Sequence, residues 1–285
     1  MKKILLQVPE GMKRKVLEIA DKLGDVYIDG EARFGACDLA ISEAKALGVD
    51  KIVHFGHRKF MNTDFPVEYV EVREEYDPTK VLKKDIGKLK GFKRIHLFSS
   101  VQFLDSLRTA KEFLEKNNKI VEIVKENILG CDSIPAKILE KKADCFLFIG
   151  TGIFHPLGLA LNTNKPVFSL SIEKNEIINM ENVKEKYIKQ KYVAIALARH
   201  AKRFGILVST KPGQMKVKIA EEIKKKLEKK GKKAYIIVFN EIRPEKLEGM
   251  DLDCYVNTAC PRISIDDRTN YKKPMIGIDE LMSFI

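Results

Sequence analysis

The stretch GILVSTKPGQMKVKIAEEI, residues 205–223, passes from a short apolar run through a turn containing Pro and Gly into a segment with apolar residues at helical spacing. It therefore predicts a strand, a turn and a helix in succession. The same succession follows two other apolar runs, which end in QVPEGM (residues 7–12) and FSSVQF (residues 98–103). Short apolar runs that alternate with helical segments predict parallel β-α-β units.

The predicted strands fall into three sets of four, which is the pattern of an internal repeat. They are Ile4–Val8, Val26–Ile28, Lys51–Phe55 and Val67–Val72; Arg94–Phe98, Ile120–Val124, Cys145–Ile149 and Pro166–Leu170; and Gly205–Val208, Ala234–Val238, Asp253–Asn257 and Pro274–Ile278. We predict an α/β fold of three similar Rossmann-like domains, each with a four-stranded parallel sheet, arranged around a pseudo-threefold axis. The predicted domains span residues 1–88, 89–190 and 191–285. In such sheets, ligand-binding groups gather in the loops beyond the carboxyl ends of the strands.

Composition limits the classes of protein to which the chain can belong. The 285 residues carry a net charge of +12, with a lysine-rich stretch at residues 221–233. No aromatic residues alternate with these lysines to stack on bases, so a solvated helix is favoured over nucleic-acid binding. The apolar run 192–198 is shorter than the ~20 residues that a membrane-spanning helix needs, and the N-terminus does not resemble a secretory signal. We therefore expect a cytoplasmic protein without a disulfide framework for its five cysteines.

Three of the cysteines follow predicted strands, one in each repeat. Cys37 and Cys131 follow the second strands of their repeats, whereas Cys260 follows a third strand, and each lies beside Gly, Ala or Pro. Cys145 and Cys254 instead belong to apolar runs, and we interpret them as packing residues because an isolated cysteine behaves as a small buried hydrophobe. The three loop cysteines are therefore candidates to bind one metal group, provided that the repeats bring them together.

The kind of metal follows from the number and spacing of these thiols. Structural zinc takes four ligands, usually from closely spaced CxxC pairs, and the chain has no such pair. Iron–sulfur clusters are held by thiolates, and three thiolates leave one iron open to a substrate. The cysteines alone leave open whether they bind a cluster or are buried packing residues.

Longer motifs decide in favour of a known family. They are QVPEGM, GEARFGACD, HFGH, NILGCD, GTGIFHPLGLAL, ARHAKRFGILVSTKPGQ and NTACPRISIDD. In these motifs and their order, the chain resembles the archaeal diphthamide-biosynthesis enzymes, the 2-(3-amino-3-carboxypropyl)histidine synthase family, over essentially its full length. The resemblance implies a homodimer with a [4Fe–4S] cluster on Cys37, Cys131 and Cys260. It also implies a non-classical radical enzyme that lacks the CxxxCxxC loop, which is absent here.

The resemblance further implies the reaction and its partners. Family members cleave S-adenosylmethionine to a 3-amino-3-carboxypropyl radical and transfer it to one histidine of translation elongation factor 2, with neither nucleic acid nor membrane as partner. We expect the loop residues His57, His155, Lys211, Gly213 and Gln214 to contact the methionine carboxylate or amine. An alternative for residues 211–214 is a plain turn that opens a helix.

Two other functions compete with this interpretation. Quinolinate synthase resembles the same plan, with three repeated domains and a cluster on three cysteines, but it acts on a small molecule. A basic, metal-free α/β module that binds ribosomal components is the alternative from a different class. The segments GACD, FHPLG and STKPGQ favour the diphthamide family.

Overall fold

The computed structural model describes residues 3–124, 130–131 and 134–285, with residues 134–136 described by their backbone alone. The chain divides into two compact units, one formed by Met1–Glu71 with Lys191–Ile285 and the other by Val72–Gln190. The first unit contains two β-sheets and the second unit contains one. In the described residues, none of the helices combines the length and the apolar character needed to cross a bilayer.

The first sheet is built from the N-terminal part of the chain. Its parallel strands have the order β2-β1-β3-β4, and they are β1 Ile4–Gln7, β2 Tyr27–Ile28, β3 Lys51–Phe55 and β4 Val67–Val70. Two helices accompany it, α1 Val16–Leu23 and α2 Ile41–Leu47. Alternating apolar residues of β1 and β3, such as Leu5 and Ile52, pack against Ala40 and Ala44 at the start of α2. This packing holds the loop between β2 and α2, which contains Cys37, close to the carboxyl end of β1.

The second sheet has the order β6-β5-β7-β8-β9, and its strands are β5 Arg94–Ser99, β6 Ile120–Ile123, β7 Cys145–Gly150, β8 Val167–Ser171 and β9 Glu176–Asn179. Its helices are α3 Thr79–Asp85, α4 Ser106–Lys116, α5 Ile134–Leu139 and α6 Phe154–Leu161. The structure adds one strand to the predicted four, because β9 pairs antiparallel with β8. Only residues 172–175 connect these strands, which permits a hairpin but not a parallel crossover. Asn175, with a φ of 51°, makes the reversal.

The outer edge of β9 is covered by side chains from the segment that begins with α3. Asp85 accepts a hydrogen bond from the backbone N–H of Ile177 at 2.7 Å, and Lys88 donates to the carbonyl of the same residue at 2.6 Å. These bonds satisfy backbone groups that an edge strand would otherwise leave open to pairing with another chain. The segment 79–89 therefore belongs structurally to the second sheet, where Leu82 and Leu89 also enter the core.

The third sheet repeats the order of the first, β11-β10-β12-β13, with all strands parallel. The strands are β10 Arg203–Ser209, β11 Lys233–Phe239, β12 Cys254–Asn257 and β13 Met275–Gly277, and the helices are α7 Glu181–His200, α8 Val217–Lys229, α9 Pro261–Ile265 and α10 Ile278–Met282. Its core combines Phe204 and Val256 with Ala198 of α7 and Ile223 of α8.

All twelve predicted strands are present, with bounds that differ by two residues at most from the prediction. The predicted α/β fold of three similar sheets is thus confirmed, while the pseudo-threefold arrangement and the domain limits 1–88, 89–190 and 191–285 stay predictions. In each sheet the second strand lies on one side of the first strand, and the third and fourth strands lie on the other side. The direction of the strand order therefore switches between the first and third strands. Ligands bind preferentially at such a switch point, beyond the carboxyl ends of the strands.

Candidate metal centre

The loop that carries Cys37 is fixed by a buried carboxylate on the next residue. Asp38 is fully buried, and its two carboxylate oxygens bind different cations. One oxygen lies 2.9 Å from the guanidinium of Arg33 and the other 2.5 Å from Nζ of Lys211, which is itself 6% exposed. Because a buried carboxylate is costly without partners, these contacts determine where the Cys37 loop lies.

Arg33 extends this network on its other side. Its guanidinium also binds Asp29 at 2.7 Å and Glu43 at 2.9 Å. Burial opposes the charge of the guanidinium, but the bonds to Asp29, Asp38 and Glu43 outweigh it and raise the pKa of Arg33. Arg33 and Asp38 were not predicted as site residues from the sequence. Their only signal was the concentration of charged residues in the segment GEARFGACD.

The loop after β10 contacts Cys37 directly. The backbone N–H of Gly213 donates to the carbonyl of Cys37 at 2.8 Å, and Nε2 of Gln214 lies 3.4 Å from its Sγ atom. A Cβ atom on Gly213 would lie only 2.7 Å from both Cα and Cβ of Cys37. Glycine is therefore required for the two loops to approach this closely. The structure brings three predicted substrate residues, Lys211, Gly213 and Gln214, to the Cys37 loop.

Cys260 lies in the same unit, at the residue before α9. The carbonyl of Cys260 accepts a hydrogen bond of 2.8 Å from the buried side-chain amide of Asn257, whose oxygen accepts one from the backbone N–H of Ala259. Asn257 thus fixes the turn at the end of β12. Cys260 lines a cavity of about 400 Å³ together with Gln214. The other lining residues include Phe34, Lys211, Arg262, Asp267 and Tyr271.

Cys131 belongs to the second unit and is exposed. The preceding residue is held tightly, because the N–H of Gly130 donates to Nδ1 of His155 at 3.0 Å. A Cβ atom on Gly158 of α6 would lie 2.5 Å from the carbonyl oxygen of Gly130. The predicted substrate residue His155 is thus a contact of the Cys131 turn. Most of the NILGCD motif, residues 127–129 and Asp132, lies outside the described residues.

His57, another predicted substrate residue, pairs with a histidine that the sequence analysis did not select. Nε2 of His54, at the end of β3, lies 3.0 Å from Nδ1 of His57, and the rings stack. Burial, with smaller effects of His57 and Arg33, lowers the pKa of His54 to about 3. Burial also lowers the pKa of His57. Both rings are therefore neutral near pH 7, and one donates the hydrogen bond that the other accepts.

Comparison with known proteins adds the family. Residues 8–285 match the family model described as "Putative diphthamide synthesis protein". The chain belongs to the diphthamide synthesis family. It is 36% identical to the 2-(3-amino-3-carboxypropyl)histidine synthase of Pyrococcus horikoshii, a match that covers 98% of this chain and 84% of the relative. It is 33% identical to the enzyme of that name from Methanocaldococcus jannaschii, over 99% of this chain and 84% of the relative.

A solved structure supports the fold at the same level of identity. The crystal structure of Dph2 from Pyrococcus horikoshii with a 4Fe-4S cluster matches with a TM-score of 0.88 and 35% identity, covering 99% of this chain and 86% of that one. The prediction that the chain is an enzyme of the 2-(3-amino-3-carboxypropyl)histidine synthase family is confirmed. The match also decides between the two enzyme families that the sequence analysis weighed.

The cysteines of this family member divide into two groups that differ in exposure. Cys145 and Cys254 are fully buried in strands, and burial raises the pKa of Cys145 to about 12 and also raises that of Cys254. Cys37 and Cys260 are partly exposed and Cys131 is exposed, and none of the five forms a disulfide. Metal ligands must lose their protons, which burial in an apolar strand disfavours. The three loop thiols thus fit a thiolate-bound cluster, and the two strand thiols do not.

Across the described residues, no group of three or more His, Cys, Asp or Glu side chains is arranged to hold a metal ion. Cys37 and Cys260 share one unit, in which Gln214 contacts Cys37 and lines the same cavity as Cys260. The assignment of Cys37, Cys131 and Cys260 as ligands of one cluster stays a prediction from the sequence.

Proposed function

We propose that the chain binds a [4Fe–4S] cluster through Cys37, Cys131 and Cys260 and catalyses the first step of diphthamide biosynthesis. The observation that carries the proposal is the division of the cysteines: one accessible loop thiol in each repeat and two thiols buried in strands. The cluster in the similar Dph2 structure supports the same cofactor here. With three thiolate ligands, a bound cluster supplies an open iron for S-adenosylmethionine and one electron to cleave its sulfonium–Cγ bond.

The group transferred is 3-amino-3-carboxypropyl, and its proposed acceptor is a histidine of translation elongation factor 2. The name of the relatives supports this product, because it describes a histidine that carries this group. The task of the protein residues is to hold the co-substrate so that one of its three carbon–sulfur bonds breaks, and to keep water and other groups away from the radical.

Lys211 and Gln214 are our proposed contacts to the methionine part of S-adenosylmethionine, because both line the cavity next to Cys260. The ammonium of Lys211 is bound to Asp38, which fixes its position in the wall of the cavity. Gly213 acts by bringing this loop against Cys37. His57 and His155 stay predictions as substrate contacts, each with a ring nitrogen already in a hydrogen bond.

The cofactor is tested by purifying the protein without oxygen and measuring iron, sulfide and the brown absorption of the cluster. Replacement of Cys37, Cys131 or Cys260 by Ala should each reduce the iron content strongly. Cys145→Ala and Cys254→Ala are matched controls that should keep the iron, since their sulfurs lie within the strands. Colourless wild-type protein without iron would favour the metal-free binding module and contradict the proposal.

The reaction is tested with cluster-loaded protein, reductant, S-adenosylmethionine and archaeal elongation factor 2. Mass spectrometry should show one added aminocarboxypropyl group on a single histidine. Loaded protein that transfers nothing would contradict this function.

We also propose that the chain acts as a homodimer in the cytoplasm, and light scattering that gave the mass of a monomer would refute the dimer.

A further inference from the structure

The side chain of Gln214 points its amide at a proposed cluster ligand. Its Nε2 atom lies 3.4 Å from Sγ of Cys37, within the range of an N–H···S hydrogen bond. Gln214 ends the short turn Pro212–Gln214 that follows β10. Gln214 is predicted from the sequence as a substrate contact, and in the structure it also touches the sulfur of Cys37.

The chemistry of the sulfur determines which end of the amide faces it. A cysteine that ligates iron is a thiolate, which has no proton to donate and can only accept hydrogen bonds. The amide carbonyl of glutamine would place a partial negative charge against it, whereas the amide N–H groups are donors. Coordination of iron by Cys37 therefore favours the orientation in which Nε2 donates to Sγ.

This contact is supported by a frame that leaves Gln214 little freedom. The N–H of Gln214 donates to the carbonyl of Lys211 at 2.9 Å, and the N–H of Gly213 donates to the carbonyl of Cys37 at 2.8 Å. The ion pair of Lys211 with the fully buried Asp38 holds the two loops together from the other side. Rigid support of this kind is what makes a contact to a metal ligand effective.

We propose that Gln214 is a positioning residue that donates a hydrogen bond to Cys37 and thereby raises the reduction potential of the cluster. This inference rests on the proposed function, because it requires Cys37 to be a cluster ligand. Reduction adds negative charge that is shared with the thiolate sulfurs. A donor at the sulfur stabilises the reduced state more than the oxidised state, so hydrogen bonds to sulfur raise the potential.

The test is an EPR-monitored redox titration of anaerobically purified protein without S-adenosylmethionine. Gln214→Leu removes the donor at similar size, and we expect a more negative midpoint potential with unchanged iron content. Gln214→Glu places a carboxylate near the sulfur and should shift the potential further in the same direction. Asn240→Leu is the matched control, since it removes an amide from another residue that lines the same cavity, and its potential should equal that of the wild type.

Each outcome decides between the alternatives. Unchanged potentials in Gln214→Leu and Gln214→Glu, with the cluster present, overturn the inference and leave the proposed function standing. Weaker binding of S-adenosylmethionine with an unchanged potential would make Gln214 a substrate contact only, which also overturns it. If Gln214→Leu does not fold, Gln214→Glu retains the shape and provides the comparison. Wild-type protein that forms no cluster refutes the proposed function and the inference together.

Discussion

Replacing Gly213 with Ala should destabilise the first unit, although its backbone would accept an alanine. Gly213 has no positive φ, so the cost is purely steric. The new Cβ would lie 2.7 Å from two carbon atoms of Cys37, whereas carbon atoms in contact are separated by about 3.5–4.0 Å. The loops must therefore separate by roughly 1 Å, which lengthens the 2.8 Å hydrogen bond between them beyond its useful range.

The magnitude follows from three contributions. Overpacking costs about 1–3 kcal/mol and the lost hydrogen bond about 1 kcal/mol. The reduced freedom of the unfolded chain returns about 0.4–1 kcal/mol. We expect a net loss of about 2 kcal/mol in the free energy of unfolding, measured by urea denaturation with far-UV circular dichroism because the chain has no Trp.

Gly11→Ala is the matched control for this substitution. Nothing lies within 4 Å of a Cβ atom at Gly11, and its φ is not positive, so the free energy of unfolding should stay equal or rise slightly. If Gly213→Ala is as stable as the Gly11→Ala variant, the two loops can separate without cost. That result would refute the argument that their close approach fixes Cys37.

Three further predictions concern Lys211, Gly158 and His54. Lys211→Met leaves the buried Asp38 with one cation instead of two and should cost about 3 kcal/mol in urea denaturation, while Lys211→Arg should cost less. Replacing Gly by Ala in a helix normally stabilises it by up to about 1 kcal/mol. Gly158→Ala should instead destabilise the second unit, because the new methyl group would clash with the carbonyl of Gly130, and an increased melting temperature would contradict this. Burial lowers the pKa of His54 in the folded chain to about 3, whereas its pKa in the unfolded chain is about 6.5. Between about pH 3 and pH 6.5 the unfolded chain therefore binds more protons than the folded chain. The free energy of unfolding should therefore fall by up to about 1.4 kcal/mol per pH unit below about pH 6.5, and His54→Gln should show a shallower slope.

The strands were predictable because their signals are local. The runs around Leu5, Leu97 and Ile206 are short and apolar and end in turn residues, and the structure contains a strand at each. The antiparallel strand β9 was missed, because the short connection after β8 contains neither Gly nor Pro and offers Asn175 as its one turn-favouring residue. Its antiparallel direction becomes evident only from the hairpin at Asn175.

The contacts of the site depend on groups that are far apart in the chain. Lys211 and Asp38 are 173 positions apart, and no periodicity or turn pattern relates residues at that distance. The close approach of Gly213 to Cys37 likewise joins two loops of the first unit that belong to different sheets. The motifs identified the loops correctly, but only the structure shows that one loop binds the other.

The repeat explains why these distant loops meet around Cys37. β1 and β10 are equivalent strands in the interior of their sheets, and the residue after Cys37 is bound by the last residue of β1 and by the loop after β10. Gln7, at the end of β1, donates to the backbone carbonyl of Asp38 at 2.5 Å, while Lys211, after β10, binds its carboxylate. The amide of Gln7 is a neutral donor for the backbone carbonyl of Asp38, and the ammonium of Lys211 is a charged donor for its carboxylate. The first and third repeats therefore carry different residues at these places, because they bind different groups of Asp38. Exchanging these side chains should therefore not preserve the loop: Gln7→Lys would bury an ammonium against a backbone carbonyl, and Lys211→Gln would leave the carboxylate of Asp38 with a single cation.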